Sequence, residues 1–108
     1  MDREFILCAA NHYNDGVEHH AQPKNIKTGF VVCGHRHHSC IAMFALMVGF
    51  PYDERGLELM RTEEQGFLTN TNRFVDRLEA LEIAKNANQL KPDERINEVI
   101  GLFSENLY

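Results

Sequence analysis

Short apolar runs alternate with turn-forming residues along the first third of the chain, a pattern typical of strands. The run Phe5–Cys8 predicts a strand over residues 4–12, and the Asn-Asp-Gly sequence that follows predicts a turn at 13–16, because these residues tolerate positive φ. Residues 29–34 are β-branched and bounded by glycines, which predicts a second strand. The polar, proline-containing stretch 17–27 between them is expected to be an extended loop or edge segment.

Two later segments have the character of helices. Residues 37–48 are apolar on all sides, so we expect a central, nearly buried helix that ends at the Gly-Phe-Pro sequence following it. Asp76, with Glu79 three positions later, is close to a capping box and predicts a helix that starts after Asp76 and runs to about Gln89.

A hairpin and a final helix complete the predicted elements. Residues 65–69 and 73–75 flank an Asn-Thr-Asn turn and predict an antiparallel hairpin. From Pro92 onward, where Asp93 and Glu94 follow, apolar residues recur at helical spacing and predict a last helix. Its apolar stripe is formed by Ile96, Val99, Ile100 and Phe103. Residues 52–64 are charged and follow neither period, so no element is predicted there.

These elements predict one α+β domain over residues 1–108: a small, mostly antiparallel sheet packed by about three helices, with the helix near 37–49 at its centre. Hydrophobic residues make up 44% and charged residues 25% of the chain, which is ordinary for a soluble globular domain. The formal net charge of −5 argues against broad electrostatic binding of duplex nucleic acid, which needs a basic stripe.

The cysteines and the apolar runs bear on the compartment. The chain has three cysteines, an odd number without the spacing of a disulfide framework, so a reducing cytosol is the simpler expectation. The N-terminal residues lack the shape of a signal peptide, and the longest apolar run, 41–50, is too short to span a bilayer. We therefore expect an intracellular protein without a membrane partner.

The stretch VVCGHRHHSC, residues 31–40, carries the densest chemistry. A strand that passes through a glycine into the first turn of a helix presents backbone N–H groups and a positive dipole end, which favour phosphate or carboxylate. Arg36 would add a planar cation suited to phosphate. The candidate anion-binding residues are Gly34, His35, Arg36, His37 and His38. The alternative is that these side chains pair with acids from 52–64 or face water.

The same stretch could hold a metal ion, because Cys33, His35 and His37 alternate along the chain and can project to one side. Against a metal site, there is no Cys-x-x-Cys or His-x-x-x-His spacing and no adjacent carboxylate. Cys33, flanked by valines, better fits a buried core thiol. Cys40, near the start of the helix, is a weaker candidate nucleophile. We expect no cofactor.

A catalytic alternative is a metal- or histidine-dependent phosphoesterase. It would use His12, Asp15, His19 and His37 as acid–base groups or ligands. The Asn-Asp-Gly turn alone accounts for the presence of Asp15, so this set also has a purely structural explanation.

The predicted hairpin supplies a third candidate surface. An aromatic side chain beside an arginine can stack on a nucleobase, while asparagines contact its polar edges. The residues concerned are Asn70, Asn72, Arg73 and Phe74. The alternative is an ordinary hairpin with Phe74 in the core and Arg73 on the surface.

Three blocks carry a resemblance that spans most of the chain: AANHYNDGVEHHAQPKNIKTGFVVCGHRHHSC, QGFLTNTNRFVDRLEALEIAKNANQ and LFSENLY. Through them the chain resembles a family of small proteins encoded by bacteriophages and prophages. Similar proteins often carry a second arginine where this chain has His35. The resemblance implies action in the cytoplasm of an infected bacterium, where small phage proteins include sponges that sequester cyclic-nucleotide or ADP-ribose-type signals of host immunity.

The leading interpretation is a binding protein for a phosphorylated, nucleotide-like ligand, with Gly34, Arg36 and His37 on phosphate and the hairpin on a base or ribose. Such a protein could act in counter-defence by sequestering a host immune signal. The alternatives are the phosphoesterase and a protein-binding inhibitor of a host factor. The apolar helix and the apolar C-terminal residues also suggest a homo-oligomer.

Overall fold

The computed structural model describes residues 3–92 and 94–108, and within them it shows the predicted α+β architecture. The strands are β1 (Ile6–Tyr13), β2 (Phe30–Gly34), β3 (Glu64–Thr69) and β4 (Phe74–Asp76). The helices are α1 (His37–Val48), α2 (Glu54–Met60) and α3 (Arg77–Asn86), followed by a single 3₁₀ turn at Ser104–Asn106. The four strands form one sheet in the order β2-β1-β3-β4, and every neighbouring pair is antiparallel.

One face of the sheet carries the core. Ala9 of β1 lies opposite Gly34 on one side and Phe67 on the other, and alternate residues of each strand share its face. Tyr13, two alternations along, stacks on Phe44 of α1 with ring centroids 3.8 Å apart. α3 packs on the same face through its small residues. The cluster comprises Ile6, Ala9, Tyr13, Val32, Cys40, Phe44, Phe67, Val75, Ala80, Leu81, Ala84 and Leu102.

The loop between β1 and β2 crosses the opposite face. The amide side chain of Gln22 accepts a hydrogen bond from the backbone N–H of Val31 on β2, at 2.8 Å. Three residues later, the Asn25 side chain bonds both backbone groups of Phe74 on β4, at 2.6 and 2.8 Å. Since β2 and β4 are the two outer strands, one loop satisfies backbone groups on both sheet edges, which protects them from pairing with another chain.

The bounds predicted for α1 are confirmed, but its predicted burial is wrong. Only His37, Cys40 and Phe44 are buried in this helix. Leu46 is 77% exposed, and Ile41, Met43 and Met47 are exposed as well. α1 therefore lies on the surface of the sheet instead of at the centre of the domain, and its outer side is apolar.

The predicted last helix is also wrong. Residues 94–103 contain no helix, and Asp93 lies outside the described residues. The Asn97 side chain accepts from the backbone N–H groups of Val99 and Ile100, which turns the chain. Gly101 has φ of 110° and lies so close to the Arg77 backbone that a Cβ would be 2.3 Å from it. The third helix of the domain is α2, within the segment where no element was predicted.

Candidate functional site

Arg36, the first of the predicted anion ligands, is bound to the C-terminal segment. Its guanidinium donates to Ser104 Oγ at 3.1 Å and to the backbone oxygen of Tyr108 at 2.7 Å. The guanidinium carbon also lies 5.0 Å from the centre of the Tyr108 ring, in cation–π range. Arg36 therefore fastens the N-terminus of α1 to residues 104–108, and its hydrogen-bonding fork is largely occupied within the chain.

The three histidines next to Arg36 differ in how far they are buried. His37 is buried, and its Nε2 donates to the carbonyl of Gly66 at 2.7 Å, while Nδ1 faces the Arg77 guanidinium at 3.3 Å. Burial, with Arg77 adding to it, lowers the pKa of His37, so the ring is neutral at pH 7. His35 stacks on Tyr108 with ring centroids 4.7 Å apart, and His38 is exposed.

Gly34 fits the same tight packing, since a Cβ at this position would lie 2.9 Å from that of Ser39.

The hairpin residues are held by a second polar network. Arg73 donates from Nε and Nη2 to the two carboxylate oxygens of Glu4, at 2.9 and 2.7 Å, and from Nη1 to Glu79 at 3.0 Å. The hydrogen bond from Arg73 is the largest cause that lowers the pKa of Glu4 to about 2. Glu79 thus pairs with Arg73, and Asp76 alone caps α3 by accepting from the Glu79 N–H at 2.8 Å.

The other hairpin residues also have contacts within the chain. Asn70 bonds the backbone of residues 3 and 5, at 2.9 and 2.7 Å. Asn72 occupies a turn position with φ of 62°. Phe74 is buried, and its ring lies against Gly66. Arg36 lies two residues after β2 and Arg73 directly precedes β4, which puts the two arginines at opposite edges of the sheet. The structure does not bring the two predicted halves of the site together.

The predicted catalytic residues are separated as well. His12 lies on the sheet face opposite Ala9, where its Nε2 donates to the carbonyl of Thr28 at 2.9 Å. His37 packs edge-on against Phe67 on the core face, with centroids 5.0 Å apart. Asp15 and His19 do meet, at 2.8 Å.

The metal ligands considered from the sequence are dispersed too. The described residues contain no group of three or more His, Cys, Asp or Glu side chains placed to hold a metal ion. Cys33 is exposed, so its expected place in the core is wrong; the buried thiol is Cys40. The reason is that Cys33 projects from the sheet face opposite the one that carries the core.

Two adjoining depressions form what we call the His19–His20 groove. One, of about 420 Å³, is lined by residues 18–27; the other, of about 650 Å³, lies between this loop, β2 and α1. His19, His20 and Gln22 line both. The first depression carries Lys24 and Lys27 against one acid, Glu18, and the second is mainly apolar. The further residues of the second are Phe30, Val31, Val32, Cys33, Met43 and Met47.

Sequence reasoning missed most of this groove. The sequence points to His19 and His20 as possible ligands or acid–base groups, and not as part of a groove that binds a ligand. Lys24 and Lys27, three residues apart in a loop without acids between them, were an available signal. In the described part of the chain neither lysine has a carboxylate partner. The apolar wall could not be located because it joins β2 to the outer side of α1, which was expected to be buried.

A third depression, of about 680 Å³, lies between the turn after β1 and α2. Its lining mixes both signs of charge, with Asp15 and Glu58 beside Arg55. Thr62 connects the two sides of this depression, because its hydroxyl oxygen accepts a hydrogen bond from the Asn14 N–H at 2.8 Å. Asp15, which binds His19, links this depression to the His19–His20 groove.

No helix in the described residues is long and apolar enough to cross a membrane. Searches among curated proteins and among solved structures found no match to this chain. A family model described as phage T4 y16D protein matches residues 5–108. That match covers nearly the whole sequence and confirms the resemblance to small bacteriophage proteins: the chain belongs to the phage T4 y16D protein family.

Proposed function

We propose that this phage protein acts by binding a phosphorylated, nucleotide-like ligand in the His19–His20 groove. The observation that carries the proposal is the division of the groove into a cationic part and an apolar part that share His19 and His20. A nucleotide has the same division, with phosphate at one end and a flat, largely apolar base at the other. Ligand sites of this kind combine apolar walls with a few polar groups that fix orientation.

The phosphate end would lie against Lys24 and Lys27. Both are exposed and free of carboxylates within the described residues, so binding a phosphate would break no existing ion pair. This distinguishes them from Arg36 and Arg73, whose guanidiniums would first have to leave their partners within the chain. A lysine ammonium binds phosphate as a point charge and not through a fixed fork of N–H groups. Lys24 and Lys27 can therefore bind phosphate groups in different orientations.

The base end would lie between Phe30 and the two methionines. Met43 and Met47 are one helical turn apart on α1, and their flexible thioethers adapt to a flat ring. A nucleotide with its base in this position would have its phosphates near His19 and His20. Sequestration of a host signalling nucleotide in the infected cell's cytoplasm needs no nucleophile, so the dispersed histidines do not oppose this function.

Isothermal titration calorimetry with a panel of cyclic mono- and dinucleotides and ADP-ribose derivatives tests the proposal. The double variant Lys24→Ala/Lys27→Ala should weaken binding about tenfold or more, the loss of at least 1.4 kcal/mol. The double variant Lys85→Ala/Lys91→Ala, which removes two lysines from ion pairs with Glu98 and Glu94, is the matched control and should bind like wild type. A folded protein that binds no member of the panel would refute the proposal.

A hydrolase is the second candidate, favoured by the Asp15–His19 pair. A carboxylate 2.8 Å from an imidazole can orient the ring toward a water molecule. The test is the chemical state of a bound nucleotide recovered by heat denaturation of the complex. Intact nucleotide supports sequestration, and hydrolysed nucleotide with loss of turnover in Asp15→Asn supports the enzyme.

The exposed apolar side of α1 supports the expected homo-oligomer. Residues 37–52 contain no Asp, Glu, Lys or Arg, whereas the whole chain carries a net charge of −5. Two copies would therefore approach most easily through this uncharged surface, because its burial desolvates no charge. The same surface could instead take a host protein, the third reading of the sequence.

A further inference from the structure

Cys8 and Cys33 project from the same face of the sheet on neighbouring strands. Cys33 of β2 lies opposite Ala10 of β1, and Cys8 is two residues before Ala10, so the three side chains share one face. Diagonal neighbours on one face of an antiparallel pair are within reach of each other's side chains, so the two thiols lie near each other. Cys33 is exposed and Cys8 is partly exposed, so small reagents can reach them.

Cys40 is set apart from this pair. It is buried on the core face and its Sγ donates to the carbonyl of Ala9 at 3.6 Å. The chain therefore holds one accessible pair of adjacent thiols and one enclosed thiol, and Cys40 is an internal control for the pair.

The contact also divides the two thiols into a thiolate and a proton donor. The hydrogen bond from Cys33, helped by the Gly34 N–H, lowers the pKa of Cys8 to about 7 against the effect of burial. The same contact and burial raise the pKa of Cys33. The other ionisable groups that influence the pair, Cys40 and Tyr108, have raised pKa values and are neutral at pH 7.

We propose that Cys8 and Cys33 form a reactive dithiol site that hydrogen peroxide converts into a disulfide. The Cys8 thiolate attacks one peroxide oxygen and the O–O bond breaks, giving a sulfenic acid and hydroxide, which recovers the proton lost by Cys8. The Cys33 sulfur then attacks the Cys8 sulfur, the S–O bond breaks, and water leaves with the Cys33 proton. Two thiols are oxidised and one peroxide is reduced to two waters.

The backbone around the pair can accommodate the bridge. Diagonal neighbours in an antiparallel pair have Cα atoms about 7–8 Å apart, slightly beyond the usual limit of roughly 6.8 Å for a disulfide. β2 is an edge strand that pairs only with β1 in the sheet, so a small shift of β2 can close the gap. Cys33 lines the apolar part of the His19–His20 groove, and the bridge would therefore alter that groove whatever it binds.

Peptide mapping after exposure of the folded protein to excess hydrogen peroxide tests the proposal. Wild type and Cys40→Ser should each lose two hydrogens in mass and yield a linked Cys8–Cys33 peptide. Cys33→Ser should instead stop at a Cys8 sulfenic acid that dimedone traps. Alkylation of Cys8 by iodoacetamide should rise with pH through a midpoint near 7 in wild type, and nearer the ordinary value of about 8.5 in Cys33→Ala, which has no donor at position 33.

A second reagent keeps the test independent of disulfide closure. Phenylarsine oxide joins two adjacent thiols with loss of one water, so wild type and Cys40→Ser should each take up one equivalent and Cys33→Ser none. Oxidation of the thiols to separate sulfinic acids, a bridge that includes Cys40, or an unchanged Cys8 midpoint in Cys33→Ala would each overturn the proposal.

Discussion

α1 and α3 pack side by side on the same sheet face, yet their outer surfaces are opposite in character. The outer side of α3 carries charges, with Glu79 paired to Arg73 and Lys85 paired to Glu98. The outer side of α1 carries none, and Leu46 there is 77% exposed. Burying the outer side of α1 would desolvate no charge, whereas burying the outer side of α3 would desolvate several. The comparison marks α1, and not α3, as the surface of the domain suited to association.

The helices also differ in how they are attached. α3 begins with a side-chain cap from Asp76 and buries three small or medium residues against the sheet. α1 has no side-chain N-cap bond and relies on Phe44, which stacks on Tyr13, and on Arg36 at its start. α1 buries three residues, as α3 does, but it lacks a side-chain cap, so its attachment depends more on Phe44 and Arg36.

The largest effect should come from Phe44→Ala. The substitution leaves a cavity beside Tyr13 and removes the main anchor of α1, at a cost of about 3–5 kcal/mol in the free energy of unfolding. Leu81→Ala in α3 is the matched change, and it should cost less because Ala80 and Ala84 still pack there. Urea denaturation followed by circular dichroism measures both, and a smaller loss for Phe44→Ala would contradict the single-anchor account of α1.

Arg36→Met should have an intermediate effect. It removes two hydrogen bonds to the C-terminal segment while keeping an apolar stem, so we expect a loss of about 1–3 kcal/mol in unfolding free energy. Hydrogen exchange should show faster opening of residues 104–108. A variant as stable as wild type would show that the guanidinium is free for an external anion, as the sequence had suggested.

The sequence predicts those elements whose formation depends on residues close together in the chain. The turn after β1, the hairpin, the bounds of α1 and the Asp76 cap all follow from local signals, and the structure has each of them. The false helix at the C-terminus had a regular apolar stripe, but the backbone contact of Gly101 with Arg77 outweighs that periodicity. The partners of Arg36 lie 68 and 72 residues away, so local spacing could not distinguish a C-terminal latch from an anion site.

The burial of α1 failed for a related reason. A helix that is apolar all round is expected to be buried, unless another molecule covers part of it. The three buried residues of α1 fall on one side at regular helical spacing, and the apolar residues on the other side hid that stripe in the sequence. The exposed apolar side of α1 is therefore the surface on which the proposed association can be tested.

Leu46→Glu should have the smallest effect on stability. It should also distinguish most clearly between α1 and α3 as the surface for association. Leu46 is 77% exposed, so a charge there should change the free energy of unfolding by no more than about 0.5 kcal/mol. If a second copy covers α1, light scattering should show wild type as a dimer and Leu46→Glu as a monomer. Leu78→Glu on α3, at a leucine that is 49% exposed, should remain dimeric. Dissociation by both variants would mean that net charge alone controls association, and a monomeric wild type would leave the uncharged side of α1 to a host protein.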